Sequence, residues 1–211
     1  MSTASDARFW DRSSKSYAKS RISDQAGYER TVERTSALLK PDDSVLELGC
    51  GTGTTALRLA GKVKSYLAAD LSAGMIAIAQ EKLAANRIAG LTFRAATAEA
   101  LASEAMRFDA VLGFNYLHMV RDLPGTLRSI HALLVPGGLF ISKTPCLGDM
   151  NPLIKLALPL MQMIGKAPHA GVFNAQELSD LIAASGFEVL GTERHATKGK
   201  DSRPFTIARK K

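Results

Sequence analysis

A short apolar segment that runs directly into alternating glycines constrains the fold of this chain more than any other feature. Residues 45–48 read Val-Leu-Glu-Leu, and residues 49–53 read Gly-Cys-Gly-Thr-Gly. Glycine allows a tight backbone turn and lets a ligand approach more closely than a Cβ atom would permit. Because residues 54–60 favour a helix, the sequence predicts a strand, a ligand-cradling loop and a helix in succession.

The residues around this loop narrow the kind of ligand. A nicotinamide dinucleotide loop would need glycine at position 54, which is Thr54, and no Walker lysine follows the loop. Asp70 ends the next predicted strand, 19 residues after Gly51, where a carboxylate can accept hydrogen bonds from both hydroxyls of an adenosine ribose. Glu47 adds a second acid just before the loop. Acids beside a crowded loop favour a ligand with an ammonium group over one with two phosphates.

Strands and helices alternate along the first two thirds of the chain. We predict strands at 44–48, 65–69, 91–95, 108–114 and 139–143, and helices at 30–39, 54–60, 73–86 and 123–134. Alternation at this spacing indicates βαβ units with right-handed crossovers and a mainly parallel sheet.

The pattern changes after Pro145. Helices predicted at 152–165 and 175–185 are followed by strands at 187–193 and 203–209, with no helix between the two strands. Because parallel neighbours need a long crossover connection, the last strand should run antiparallel.

The charge is concentrated at one end of the chain. The 211 residues, 46% of them hydrophobic, fit one globular domain over 1–211, with a net charge of +7. Residues 194–211 hold seven Lys and Arg against one acid, so the rest of the chain is nearly neutral. We interpret this tail as a solvated edge strand. Apart from Phe205 it has no aromatic residue on which a base could stack, so no nucleic-acid partner is expected.

The cysteines and the N-terminal residues indicate the compartment. Cys50 and Cys146 lie outside any motif with zinc-ligand spacing, so no metal site is expected. No apolar run approaches the roughly 20 residues that span a bilayer, and residues 1–10 lack the apolar core of a signal peptide. We therefore expect a cytoplasmic protein.

The ordered motifs resemble those of class I S-adenosylmethionine-dependent methyltransferases, in the small-molecule group similar to the ubiquinone/menaquinone-biosynthesis methyltransferases. Residues 47–53 resemble the first motif of that family, and Asp70 within 69–75 resembles its second acid. Residues 108–118 resemble the motif after strand four, and residues 133–138 resemble the turn before strand five. The resemblance covers nearly the whole chain.

The resemblance implies both a fold and a cofactor. The fold is α/β, a Rossmann-like three-layer sandwich with a mainly parallel seven-stranded sheet of order 3-2-1-4-5-7-6 and an antiparallel last strand. The cofactor is S-adenosylmethionine, with Gly49, Gly51 and Gly53 at its methionyl part and Asp70 at its ribose. The further implied cofactor contacts are Tyr17, Glu47, Leu71, Met75, Thr97, Ala98 and Asn115.

One departure from the family pattern concerns the adenine. The family often has Gly-Asp-Ala-Glu after the third strand, whereas residues 96–99 read Ala-Thr-Ala-Glu. The hydroxyl of Thr97 accepts a hydrogen bond less strongly than a carboxylate does. We expect weaker cofactor affinity, or a backbone contact at Ala98 in place of the side-chain contact.

His118 is the candidate catalytic residue. It follows the fourth predicted strand, where this fold keeps its reacting groups, and it would act as a general base or would position the acceptor. Methyltransferases that act on amino groups of bases or glutamine carry an Asn-Pro-Pro-Tyr signature. Asn115 and Tyr116, which precede His118, match its first and last residues, but the two prolines are absent. A nucleic-acid substrate is therefore disfavoured.

Two segments are candidate covers of the site. Residues 1–40 form a predicted helical lid in which Tyr17 reaches the methionyl carboxylate, unless burial alone anchors the segment. Residues 145–175 form a predicted helical insertion over the acceptor pocket. The same apolar insertion is also compatible with a sheet-covering helix, a lipid contact or a subunit interface, and the oligomeric state stays open.

The sequence therefore predicts an enzyme that transfers a methyl group from S-adenosylmethionine to a small organic acceptor by in-line displacement. Two alternatives stay open. The first is a lipid-headgroup or quinone methyltransferase that acts at a membrane surface. The second is a non-catalytic module that binds S-adenosylmethionine or a nucleotide.

Overall fold

Apolar strands form a sheet at the centre of the molecule. The computed structural model describes residues 3–150, 152–163, 167–197 and 202–211. The strands are β1 (Ser44–Leu48), β2 (Ser65–Asp70), β3 (Leu91–Ala95), β4 (Phe108–Phe114), β5 (Leu134–Lys143), β6 (Phe187–Glu193) and β7 (Phe205–Lys210). Within the described residues the sheet has seven strands in the order β3-β2-β1-β4-β5-β7-β6, and β7 pairs antiparallel with β5 and β6. The predicted fold class, strand order and antiparallel last strand are confirmed.

Several helices begin where a polar side chain accepts a hydrogen bond from the first helical turn. The helices are α1 (Thr3–Lys19), α2 (Gln25–Leu38), α3 (Ala56–Leu59), α4 (Ala73–Asn86), α5 (Ala98–Ser103), α6 (Leu123–Leu133), α7 (Pro152–Met163) and α8 (Ala175–Ala184). Asp24, Ser72, Thr97, Asp122 and Asn174 are the N-caps of α2, α4, α5, α6 and α8. Such caps satisfy backbone N–H groups that have no partner within the helix.

Alternate side chains of the central strands enter two separate hydrophobic clusters. Val45 of β1 packs in one cluster with Val32 of α2 and Ile76 of α4. The next residue, Leu46, packs in the other cluster with Leu127 of α6 and with residues of α5 and α8. Because successive strand residues point to opposite faces, the sheet is covered on both sides and the predicted three layers are present.

Some boundaries differ from the prediction. Helix α2 begins at Gln25 rather than at residue 30, because the Asp24 carboxylate accepts a hydrogen bond from the Gly27 N–H at 2.9 Å and starts the helix earlier. Strand β5 begins at Leu134 rather than at residue 139. Its pairing with β4 jumps from Phe108–Leu134 to Ala110–Leu139, so the predicted turn at 136–138 is an irregularity within a longer strand.

The sheet directs the functional residues to one edge. The carboxyl ends of β1, β2, β4 and β5 lie together there, as in other parallel sheets. The helix predicted at 152–165 is observed as α7, and its predicted end at Gly165 lies outside the described residues, as do Lys198, Lys200 and Asp201 of the basic tail. In the part of the chain that the structure describes, no helix is long and apolar enough to cross a bilayer.

Candidate active site

The glycine loop after β1 has a left-handed backbone at each of its glycines. The φ angles are +69° at Gly49, +54° at Gly51 and +79° at Gly53. A residue with a side chain is strained in this conformation, which explains why the loop needs glycine.

The three glycines nevertheless serve different purposes. A Cβ atom at Gly49 would lie 2.7 Å from the ring of Tyr116, and one at Gly53 would lie 2.6 Å from the ring of Phe93. A Cβ atom at Gly51 would approach the ring of Tyr17 to an ordinary 3.6 Å. Gly49 and Gly53 therefore make room for neighbouring aromatic rings, whereas Gly51 leaves space on the cavity side of the loop.

Asp70 ends β2 beside this loop and is tied to it. One carboxylate oxygen accepts a hydrogen bond from the Gly51 N–H at 3.0 Å, and the other accepts one from the Ser72 N–H at 2.9 Å. Burial raises the pKa of Asp70, and the two backbone donors act in the opposite direction. A carboxylate has about four acceptor positions, so two backbone bonds leave room for two ligand hydroxyls.

A cavity of 720 Å³, here called the larger cavity, opens over the loop and Asp70. Its lining includes these predicted site residues: Tyr17, Gly49, Gly51, Asp70, Leu71, Met75, Thr97, Asn115 and His118. The structure thus brings together residues separated by up to about half of the chain. A volume in this range is typical of small-molecule sites.

A second cavity of 530 Å³, here called the smaller cavity, lies on the other side of the loop. The two cavities share Tyr17, Gly49, Phe114, Asn115 and Arg203 in their walls, so they adjoin at the end of β4. Asn115 has φ +51°, and its N–H donates to the Lys143 carbonyl oxygen at 2.7 Å, which holds the chain at this junction.

Glu47 lines the smaller cavity as a buried acid. The Tyr66 hydroxyl donates to its carboxyl group at 2.8 Å. Desolvation raises the pKa of Glu47 to about 8, with a smaller contribution from the nearby charge of Asp70. Glu47 is therefore largely protonated at neutral pH, and its neutral carboxyl group has both a donor and acceptors to offer.

His118 lies after β4 in the wall of the larger cavity. Its Nδ1 is buried and has no hydrogen-bond partner within the described residues. Burial lowers the pKa of His118 to about 4, and the charges of Arg203 and His169 lower it further. The ring is therefore neutral at physiological pH and has an unused ring nitrogen beside the cavity.

Helix α1 crosses the larger cavity and is fixed on both sides of it. Asp6 makes two hydrogen bonds, 2.7 and 2.8 Å, with the guanidinium group of Arg121 after β4. Asp11 accepts hydrogen bonds from the Ser72 hydroxyl at 2.6 Å and from the Gly74 N–H at 2.9 Å. A carboxylate at the start of α4 is also favourably placed with respect to the helix dipole.

Two predicted cofactor contacts do not reach either cavity. Gly53 packs against Phe93 and Ala79, and Ala98 is fully buried at the start of α5. Thr97 does line the larger cavity, and its hydroxyl already accepts a hydrogen bond from the Ala100 N–H at 3.3 Å as the cap of α5. The hydroxyl has a second acceptor position for a ligand.

The segment 145–175 contributes its two ends to the cavities. Pro145 and Met150 before α7, and Pro168 and His169 after it, line the walls. The described side chains of α7 line neither cavity. Large apolar side chains of this helix are instead exposed: Leu153, Leu160, Met161 and Met163.

Sequence reasoning missed several residues of the cavity walls. These are Asp6, Glu99, Arg121, Lys143 and Arg203. Lys143 and Arg121 could have been found by their positions, because Lys143 is the last residue of a predicted strand and Arg121 lies seven residues after another. Asp6 and Arg203 lie in segments whose placement over the site depends on tertiary packing.

Comparisons with known proteins agree with this geometry. A family model described as a methyltransferase domain matches residues 19–192. A ubiquinone biosynthesis O-methyltransferase of Ruegeria pomeroyi is 30% identical over 151 residues, which cover 68% of this chain and 59% of that protein. A mitochondrial arginine-hydroxylase of Danio rerio is 28% identical over 167 residues, which cover 76% of this chain and 50% of that protein.

Solved structures show the same fold. The magnesium protoporphyrin IX methyltransferase of Synechocystis, solved with bound SAH, superposes with a TM-score of 0.71 at 19% identity, covering 98% of this chain and 95% of that one. The chain spans 59% or less of the length of the two curated relatives, so those proteins contain further residues. Since the family model extends over most of the sequence, this chain belongs to the family of methyltransferase domains.

Proposed function

We propose that this chain transfers a methyl group from S-adenosylmethionine to a small organic acceptor. One observation carries the proposal. The Asp70 carboxylate accepts a hydrogen bond from the Gly51 N–H at 3.0 Å and lies in the wall of the 720 Å³ cavity. Gly51, which has no side chain, faces the same cavity from the adjacent loop. This arrangement suits a nucleoside whose ribose binds the carboxylate and whose adjoining group passes close over the loop.

The other walls fit the same ligand. Leu71 and Met75 offer apolar surface next to Asp70 for an adenine ring, and Thr97 faces them from the next strand end. Tyr17 lies over the loop from α1, where its hydroxyl would bind a polar group of the methionyl part. When bound, S-adenosylmethionine supplies a methyl group on a sulfonium sulfur, which leaves as a neutral thioether when an acceptor lone pair bonds to the methyl carbon.

The chain's own residues then align and enclose the reactants. Gly51 allows close approach, Asp70 fixes the nucleoside, and the Asp6–Arg121 ion pair holds α1 across the opening. Enclosure excludes water and strengthens every electrostatic contact inside. We propose residues 1–40 as the lid and residues 145–175 as a cover whose ends border the acceptor site.

His118 positions the acceptor in this proposal. A histidine with a pKa of about 4 is a weak base at neutral pH, whereas its neutral ring accepts or donates hydrogen bonds well. Its buried Nδ1 beside the cavity is the group available for this purpose.

A membrane-surface version of the function has one observation in its favour. Leu153 and Met163 of α7 are 68% and 72% exposed, which is unusual for apolar side chains of this size. Flotation with anionic vesicles tests it, since a protein that stays at the bottom of the gradient at low salt does not use this face for lipid. A cytoplasmic location, the absence of a nucleic-acid partner and the oligomeric state stay predictions or open questions.

The test is transfer of label from methyl-labelled S-adenosylmethionine to a small-molecule metabolite extract. The wild type should label a low-molecular-weight product, and Asp70→Ala should not. Asp42→Ala is the matched control, because Asp42 is exposed at the opposite edge of the sheet. Absence of label with the wild type, despite bound cofactor, would indicate a non-catalytic binding module or another chemistry such as that of the hydroxylase relative.

A further inference from the structure

Lys82 of α4 holds the glycine loop from a position that lines neither cavity. Its Nζ donates to the Thr52 carbonyl oxygen at 3.0 Å and to the Thr52 hydroxyl oxygen at 2.9 Å. Lys82 follows Met75 of the larger cavity by seven positions and Ala79, which packs against Gly53, by three. Residues at this spacing share one face of a helix. The face of α4 that supports the loop therefore ends in an ammonium group bonded to Thr52.

The Thr52 hydroxyl donates no hydrogen bond among the residues that the structure describes. Thr52 is only 4% exposed, and it lines the smaller cavity. A hydroxyl has one hydrogen and two lone pairs, and one of these lone pairs receives the bond from Lys82. Because an ammonium group can only donate, the hydroxyl hydrogen points away from Lys82. Buried polar groups are normally paired, so an acceptor is expected from a molecule in the smaller cavity.

The smaller cavity lies where the amino-acid part of the cofactor would extend. In the proposed function the nucleoside binds at Asp70 in the larger cavity, and the two cavities adjoin at Tyr17 and Gly49. A ligand that passes from Asp70 over Gly51 therefore comes next to Thr52, the following residue of the loop. A carboxylate at the end of such a ligand is a strong acceptor for a hydroxyl donor.

We propose that Thr52 donates a hydrogen bond to the carboxylate of S-adenosylmethionine and that Lys82 holds the Thr52 hydroxyl in the donating orientation. The inference rests on the proposed function and adds a second anchor to the one at Asp70. Thr52 is a binding residue, and Lys82 is a positioning residue that acts through it. The bond from the ammonium group also polarises the hydroxyl and strengthens it as a donor. This contact distinguishes the cofactor from nucleosides that lack a carboxylate.

The first experiment separates the carboxylate from the rest of the ligand. The probes are S-adenosylhomocysteine, which is the demethylated cofactor product, its decarboxylated analogue, and methylthioadenosine, which lacks the whole amino-acid part. Calorimetric titration gives each dissociation constant. In Thr52→Val, S-adenosylhomocysteine should bind about tenfold more weakly, whereas the two probes without a carboxylate should change by less than about twofold. Thr52→Ser keeps the hydroxyl and should bind S-adenosylhomocysteine within about threefold of wild type.

Two results of this experiment would overturn the inference. Unchanged affinity of Thr52→Val for S-adenosylhomocysteine would mean that the hydroxyl makes no bond to the ligand. An equal loss of affinity for all three probes would mean that the substitution alters the shape of the loop instead. If Thr52→Val does not fold, Thr52→Ala carries the same comparison.

The second experiment tests whether Lys82 acts through Thr52. Lys82→Met removes both bonds to Thr52 and should weaken S-adenosylhomocysteine about fivefold, whereas Lys82→Arg keeps charged donors and should restore most of the affinity. In the double variant with Thr52→Val, Lys82→Met should add less than about twofold. Lys62→Met is the matched control, because Lys62 donates to the Ser36 hydroxyl at 2.8 Å and lines neither cavity. Fully additive losses would refute the positioning role.

The same titrations separate this inference from the proposed function. If the wild type binds neither S-adenosylhomocysteine nor methylthioadenosine, the proposed function fails. If the wild type binds both and Thr52→Val binds S-adenosylhomocysteine as tightly as the wild type does, the inference alone is overturned.

Discussion

Replacing Gly51 by alanine tests whether the loop after β1 is shaped for a ligand. A Cβ atom at this position would meet only the Tyr17 ring, at 3.6 Å, among the described atoms beyond its chain neighbours. The fold should therefore lose little more than the cost of a left-handed backbone at φ +54°, about 1–2 kcal/mol. The new methyl group would face the larger cavity, so the dissociation constant of S-adenosylhomocysteine should rise at least about tenfold.

Gly53→Ala is the matched control in the same loop. Its Cβ atom would lie 2.6 Å from the Phe93 ring and 3.0 Å from Cβ of Ala79, at φ +79°. Overpacking of about 1–3 kcal/mol adds to the backbone strain, which gives a loss of about 2–5 kcal/mol in the free energy of unfolding. Because Gly53 lines neither cavity, the folded fraction should bind the cofactor product within about threefold of wild type.

Urea unfolding and calorimetric titration of both variants give the two quantities. We expect opposite effects in the two variants. Gly51→Ala should lose mainly affinity for S-adenosylhomocysteine, and Gly53→Ala should lose mainly free energy of unfolding. Wild-type affinity in Gly51→Ala, or a larger loss of affinity in Gly53→Ala, would refute the assignment of the open loop position to a ligand.

Three further predictions follow from individual contacts. Asp6→Asn weakens the ion pair with Arg121, so trypsin should cleave α1 faster and the cofactor product should bind more weakly. An unchanged cleavage rate would mean that the ion pair does not hold the helix. The pKa of Glu47 is raised from 4.5 to about 8, so between these pH values the native state holds a proton that the unfolded state releases. The free energy of unfolding of the wild type should therefore fall relative to that of Glu47→Gln as pH rises from 5 to 8. Parallel plots of this free energy against pH for the two proteins would contradict the prediction. His118→Ala should raise the acceptor KM with kcat within about threefold, whereas a large loss in kcat alone would assign His118 to the chemical step.

The strand directions were predictable because their signals are local, whereas the strand order was implied by the resemblance to the methyltransferase family. Alternating apolar strands and helices predict the parallel part, and the missing helix between 193 and 203 predicts the antiparallel last strand. The glycine loop and Asp70 were predictable for the same reason, since the carboxyl ends of adjacent parallel strands lie side by side. Their meeting in the larger cavity follows from the topology alone.

Other parts of the site depend on contacts between distant residues. Lys143 reaches Thr31 from 112 positions away, and Asp6 reaches Arg121 from 115 positions away. No local pattern encodes such pairs. The different purposes of Gly51 and Gly53 were likewise hidden, because both need a left-handed backbone and only the packing of Phe93 distinguishes them.

Calorimetric titration shows whether Asp70 and the glycine loop bind the nucleoside, on which the proposed function depends. Wild-type protein is titrated with S-adenosylhomocysteine and, separately, with NADH, and the S-adenosylhomocysteine titration is repeated on Asp70→Ala. We expect saturable heat with S-adenosylhomocysteine, none with NADH, and a dissociation constant at least about tenfold higher in the variant. Saturable heat with NADH and none with S-adenosylhomocysteine, or equal affinity in Asp70→Ala, would contradict this expectation.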